Sequence, residues 1–189
     1  MKDYVSKAAL FALLIGLCVA ARLLPHPPNF TPLASAALLA GVAFQRRFFA
    51  AMVPLAAMAI SDVFVGSYDP RIMAAVYASL VFPVFLRHVL GRRLTALRIG
   101  TSAVISSAVF FMATNFAVWL FGDIYPSSAA GLLECYAAGL AFLKYTVAGD
   151  VFWSGILFGG YKLAIHGRSR VLQGALATAS LGARAGLKT

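Results

Sequence analysis

The sequence predicts an all-α integral membrane protein, a bundle of six transmembrane helices with both termini on the cytoplasmic side. Three observations lead there. Of the 189 residues, 61% are hydrophobic and only 12% charged, with a mean hydropathy of +0.86, far outside the balance of a water-soluble domain. Six apolar segments can be marked, at 5–24, 32–45, 48–66, 71–90, 97–121 and 145–166. The basic residues behind the formal charge of +10 stand at the ends of these segments, not in one patch with interleaved aromatics. They read as topology signals, and nucleic acid is not an expected partner.

A backbone in lipid must satisfy its own hydrogen bonds, and no segment alternates like a barrel strand, so each is expected to be a helix. Segment 5–24 follows Lys2 and carries Arg22 near its end. Its Ala8, Ala12, Gly16 and Ala20 recur at every fourth position and form a small-residue ridge that another helix can approach closely, although the chain is alanine-rich throughout. Lys2, Lys7, the apolar run and Ala20-Ala21 also match a cleavable signal peptide. The proline-rich loop and further apolar residues behind Arg22 favour a retained span.

Segment 32–45 is short, about 21 Å of helix against a hydrocarbon core of about 30 Å. Thr31 as N-cap, Pro32 at the first helical position, and Arg46 and Arg47 snorkelling at the far end favour a crossing. Without it, a five-span arrangement with the N-terminus outside results. Segments 48–66 and 71–90 flank a GSYDP turn, and 97–121 follows a basic stretch. The run 127–143 is apolar enough to span, yet a span there would carry the basic tail outside, so an interfacial helix before the last span fits better. Residues 1–166 then form one membrane domain, and 167–189 a basic tail, on the cytoplasmic surface or disordered.

The positive-inside rule sets the orientation. With the N-terminus inside, Lys2, Lys7, Arg46, Arg47, Arg87, Arg92, Arg93, Arg98, Lys162, Arg168, Arg170, Arg184 and Lys188 are cytoplasmic, and only Arg22, Arg71 and Lys144 are outside. Asp62, Asp69, Asp123, Glu134 and Asp150 lie toward the outside. The asymmetry suits a multi-pass protein of a bacterial inner membrane.

Polar groups inside spans are costly, so their depth is informative. Asp62, Asn115 and Asp150 all fall roughly 6 to 10 Å below the outer surface at 1.5 Å per residue. Helical spacing adds Phe111 and Trp119 to the stripe of Asn115, and Thr146 and Trp153 to that of Asp150. Polar groups beside aromatics suit a small-molecule pocket. The competing reading gives Asn115 to helix packing, pairs Asp62 with Arg22 or Arg71, and pairs Asp150 with Lys144. The stiff loop PHPPNFTP, 25–32, lies above this level and would present His26, Asn29 and Thr31 as a lid or wall. Cys18 and Cys135 have no C-x-x-C spacing, and with the three histidines they make no metal-ligand set. A P-loop, an H-E-x-x-H helix and a G-x-S-x-G elbow are all missing, so neither catalysis nor a cofactor is expected.

The segments PHPPNFTPLAS (25–35), PLAAMAISDVFVG (54–66), TNFAVW (114–119) and CYAAGLAFLKYTVAGDVFWSGILFG (135–159) resemble a group of small bacterial membrane proteins described as transport proteins. That group is similar in size and layout to the substrate-binding S components of energy-coupling-factor vitamin transporters. The resemblance implies that the 25–32 loop closes over a vitamin or precursor, and that the ridge at Ala8, Ala12 and Gly16 meets a transmembrane coupling subunit linked to two ATPases. The group carries a proline near position 141, where this chain has LAFLKY with Lys144. Four functions are weighed, in this order: a binding subunit of an importer, a proton-coupled secondary carrier, an assembly subunit whose polar groups serve only packing, and a membrane enzyme that uses Asp62, Asn115 or Asp150 as acid or base.

Overall fold

The computed structural model describes residues 2–91 and 94–186. Among them every regular element is helical: α1 (Lys2–Leu23), α2 (Leu33–Ala43), α3 (Arg47–Val65), α4 (Pro70–Val81), a 3-10 turn (Phe82–Leu86), α5 (Arg87–Leu90), α6 (Ala96–Phe121) and α7 (Ala129–Gly186). Four stretches are long and apolar enough to cross a membrane: Arg47–Val65, Pro70–Leu90, Ala96–Phe121 and Ala129–Ile165. Arg92, Arg93 and Lys188 of the expected cytoplasmic set lie outside the described residues, as do the side chains of Lys2, Arg168, Arg170 and Arg184. Two compact units are present, one ending at Gly155 and one beginning at Ile156. The second is the C-terminal part of α7, whose backbone is helical as far as Gly186.

The first unit is built around α2. This helix has apolar or small side chains on every face, and Leu33 through Gly41 are all buried, as expected of a helix with no polar side to offer solvent. It packs against α1, α3, α4, α6 and the 3-10 turn. The approach at the turn is close: a Cβ on Gly41 would lie 2.6 Å from the Val84 carbonyl oxygen. Around this centre α1 packs on α3, and α4 on α6. From α7, the backbone carbonyl of Asp150 accepts from Ser35 Oγ of α2 at 2.8 Å, and Tyr136 Oη donates to the Met112 carbonyl of α6 at 2.8 Å.

The contacts define two ends of the bundle. At one, Arg22 of α1 pairs with Asp62 of α3, and Arg71 at the start of α4 pairs with Asp69. At the other, Arg47 of α3 meets His88 of α5 at 2.9 Å and stacks over Phe85, while Arg98 of α6 donates to the Leu90 carbonyl at 3.3 Å. The segment from Arg22 to Arg47, with α2 inside it, connects the two ends.

Three local expectations are corrected. The N-cap of α2 is Pro32, not Thr31, and its carbonyl accepts from the Ala36 N–H at 2.7 Å. Segment 71–90 is not one α-helix, because Pro83 has no N–H to give and the chain tightens into a 3-10 turn from Phe82 before α5 resumes. The expected interfacial helix and last span form one continuous helix, α7. No proline interrupts the chain after Pro126, and Lys144 leaves the backbone ladder unbroken. At about 1.5 Å per residue, the part of α7 within the first unit, 129–155, is roughly 40 Å long, beyond a hydrocarbon core of about 30 Å.

Candidate functional site

Beneath the proline-rich loop lies a cavity of about 220 Å³, to which α1, α2, α3, α4, α6 and α7 contribute. The roof comes from the loop. Its shape is fixed locally: the Phe30 N–H donates to the Pro27 carbonyl at 3.0 Å, and Asn29 takes φ +61°, a left-handed conformation that asparagine tolerates. The His26 ring is hydrogen-bonded to the Leu24 carbonyl at 2.6 Å, so Nδ1 carries the proton. The loop sits directly on α7, where a Cβ on Gly149 would come 3.0 Å from the Phe30 Cα, and the Phe30 and Phe152 rings stand 5.6 Å apart. His26, Asn29 and Thr31 all line the cavity.

The walls combine apolar and polar groups. Met58 of α3, Leu80 of α4 and Phe110 of α6 supply apolar surface; Ser79, Ser106, Thr146 and Asp150 supply oxygen. Asp150 is 3% exposed, and its Oδ2 accepts from Ser107 Oγ at 2.6 Å. Among the described residues it forms no salt bridge, and the expected alternative partner, Lys144, lies over the Tyr145 ring instead.

Asp62 is held differently. Its Oδ1 accepts from Arg22 Nη1 at 2.6 Å and its Oδ2 from Tyr77 Oη at 2.7 Å, while the same Arg22 nitrogen also reaches Ser61 Oγ. Arg22 lines the cavity and Asp62 stands behind it as its counter-ion. In the adjoining turn, burial pushes the Tyr68 phenol above its usual value, and the Asp62 carboxylate adds to the shift. Further along, the Arg71 hydrogen bond holds the Asp69 carboxyl down at about 2.

Asn115 lines a separate, smaller cavity of about 120 Å³, which shares Asn29, Phe110 and Thr146 with the larger one. Its Nδ2 donates to the Phe111 carbonyl of its own helix at 2.8 Å. The side chain fits because position 139 is glycine: a Cβ there would lie 2.4 Å from Asn115 Oδ1. Trp119 and Trp153 line neither cavity. The Trp119 Nε1 donates to the Pro126 carbonyl at 3.0 Å, and the buried Trp153 Nε1 has no hydrogen-bond partner among the described residues. Residue spacing fixed which groups share a helix face, but not which way that face turns.

The sequence reading missed Arg22, Ser79 and Ser106 as lining residues. Arg22 looked like a topology signal, and a hydroxyl within a span carries little signal of its own. Ala8, Ala12 and Gly16 are exposed, and nothing lies within 4 Å of a Cβ built on Gly16. Among the described residues no group of three His, Cys, Asp or Glu side chains could hold a metal ion.

Residues 2–173 match a family of unknown function, DUF6580. The chain belongs to this family. The match to DUF6580 takes in every cavity-lining residue. No curated protein and no solved structure matches the chain.

Proposed function

We propose that the chain is the substrate-binding subunit of a small-molecule importer in a bacterial inner membrane, similar to the S components of vitamin transporters. The observation that carries this reading is the roofed cavity: a rigid loop closes one end of a helical bundle over a pocket that holds a buried carboxylate, neutral hydroxyls and apolar walls. At about 220 Å³ it is smaller than the roughly 300–1,000 Å³ of drug-sized sites, which suits a compact metabolite or precursor.

The accompanying topology has six passages with both termini inside. It is supported by the segment between Arg22 and Arg47, which runs from one end of the bundle to the other, and by the unequal charge of those ends. Arg46, Arg47, Arg87 and Arg98 gather at one, whereas the two ion pairs found among the described residues lie at the other. The exposed ridge of Ala8, Ala12 and Gly16 is the surface assigned to a transmembrane coupling subunit, itself linked to ATPases. A second reading, a proton-coupled carrier, is favoured by one observation, a buried Asp150 without a cationic partner among the described residues.

The test is co-purification. The full chain is extracted in mild detergent and its bound small molecules are identified by mass spectrometry, beside Val76→Trp, which fills the cavity. A compound kept by the parent and lost from a folded Val76→Trp protein is the expected result. If the parent retains nothing, or both proteins retain the same compounds, the binding-subunit reading fails. Substrate uptake by the isolated chain in liposomes, driven by a pH gradient alone, would favour the carrier.

A further inference from the structure

The charge and hydrogen-bonding inventory of the cavity narrows what it can hold, given that it is a ligand site. Arg22 brings a positive charge to the wall, but Asp62 neutralises it at 2.6 Å, and Tyr77 occupies the other Asp62 oxygen. Asn29 and Thr31 are neutral. His26 is exposed and already uses Nδ1 on the Leu24 carbonyl. The charge left over is that of Asp150.

Three hydroxyls that line the same cavity face it as acceptors. Ser79 Oγ donates to the Ala75 carbonyl at 2.6 Å, Ser106 Oγ to the Ser102 carbonyl at 2.8 Å, and Thr146 Oγ1 to the Phe142 carbonyl at 3.1 Å. Each has thereby spent its one proton on its own helix and retains oxygen lone pairs. Asp150 is also an acceptor, with one of about four lone-pair sites taken by Ser107. A carboxylate in a water-poor interior needs a counter-charge and further donors. Thr146 lies one helical turn before Asp150 on the same face of α7, and Ser106 adjoins the Ser107 that binds it.

We infer that the cavity takes a small organic cation, a protonated amine on a compact apolar body, whose N–H groups bond the Asp150 carboxylate and the free lone pairs of Thr146 and Ser106. An ammonium group has three donors and no acceptor, the complement of this wall. Met58, Leu80 and Phe110 receive the apolar body. A bare metal ion is a poorer fit, because about 220 Å³ is several times the roughly 30 Å³ of one water, and half of the wall is hydrocarbon. This inference rests on the binding-subunit reading but is narrower than it.

The full chain in detergent is titrated, by calorimetry and by thermal shift, with n-butylammonium and phenethylammonium chlorides. The comparison ligands are 3-phenylpropanol, 3-phenylpropionate, phenylalanine and sodium chloride. Saturable binding of an ammonium compound is expected, with the alcohol and the carboxylate at least about tenfold weaker, the factor that loss of one charge-assisted hydrogen bond implies. Asp150→Asn should lower amine affinity by a similar factor, and Thr146→Val, which keeps the shape and removes the lone pairs, should lower it several-fold. If Asp150→Asn does not fold, charge selectivity on the parent and the Thr146→Val result decide. The inference is overturned if the alcohol or the propionate binds as tightly as the amine. It is equally overturned if phenylalanine alone binds, if sodium alone gives the shift, or if neither ammonium compound binds. Recovery of a cavity-dependent neutral or anionic compound by co-purification would then leave the binding function standing without the cation. With nothing recovered there either, both fall.

Discussion

Replacing Asp62 with asparagine tests the network behind the cavity wall. The perturbation keeps the size of the side chain and removes its charge, which leaves Arg22 beside Ser61 with no counter-ion. The pair is well buried, with side-chain exposures of 15% for Arg22 and 8% for Asp62, so solvent screens it poorly. Breaking a buried ion pair by removing one partner costs about 3–5 kcal/mol, because the remaining charge stays desolvated. For a chain of this length about 1 kcal/mol corresponds to roughly 2–4 °C, so Asp62→Asn should melt on the order of 6–20 °C below the parent. Removing both charges, as in Arg22→Met with Asp62→Leu, should recover much of that loss, since a well-packed apolar replacement is often close to neutral. The protein supplies its own reporter: Cys18 and Cys135 are free and 0% and 1% exposed, so a thiol-reactive fluorogenic dye reads their exposure on heating. A single variant that melts within about 2 °C of the parent, or a double variant that loses the sum of both singles, would refute the argument.

The two glycine contacts should behave unequally. At Gly41 an added methyl meets backbone, the Val84 carbonyl oxygen at 2.6 Å. The strain of about 1–3 kcal/mol should exceed or cancel the roughly 1 kcal/mol of helix propensity gained, giving a melting point at or a few degrees below the parent. At Gly139 the methyl meets the end of the Asn115 side chain at 2.4 Å, which can turn away at the expense of its bond to the Phe111 carbonyl, about 1 kcal/mol. Gly139→Ala should therefore be nearly neutral in dye-based melts, and Asn115→Ala should make it stabilising; a larger loss than for Gly41→Ala would contradict this ordering. The Asp69 carboxyl, lowered from 3.8 to about 2 by Arg71, should favour the folded state fully above its unfolded value and lose that effect as pH falls through about 2. Melting curves between pH 5 and pH 2 should show the small gap between parent and Asp69→Asn closing toward the acid end, and a gap that widens there would contradict the assignment.

Hydropathy made α1, α3, α4 and α6 legible because each is an uninterrupted apolar run between charged or turn residues, and lipid admits few structures for such a run. The short run at 32–45 was legible as a helix, but its burial on every face depends on neighbouring elements from all along the chain, which no local pattern contains. The continuity of α7 was obscured by Lys144, since hydropathy averages report a charge as a break while the backbone needs only the absence of proline. The site divides along the same line. The loop residues His26, Asn29 and Thr31 could be placed because prolines fix a short stretch of chain, and Asp150 because a buried acid is conspicuous. Arg22 and Asp62 lie forty positions apart, and either could have been satisfied by a nearer partner. The same uncertainty made Trp119 and Trp153 candidates, because a helical stripe specifies neighbours and leaves the rotation of the helix to tertiary packing. Once that rotation is known, Arg22 is neutralised by Asp62, the hydroxyls of Ser79, Ser106 and Thr146 are turned into acceptors by their own helices, and Asp150 lines the cavity with no cationic partner among the described residues.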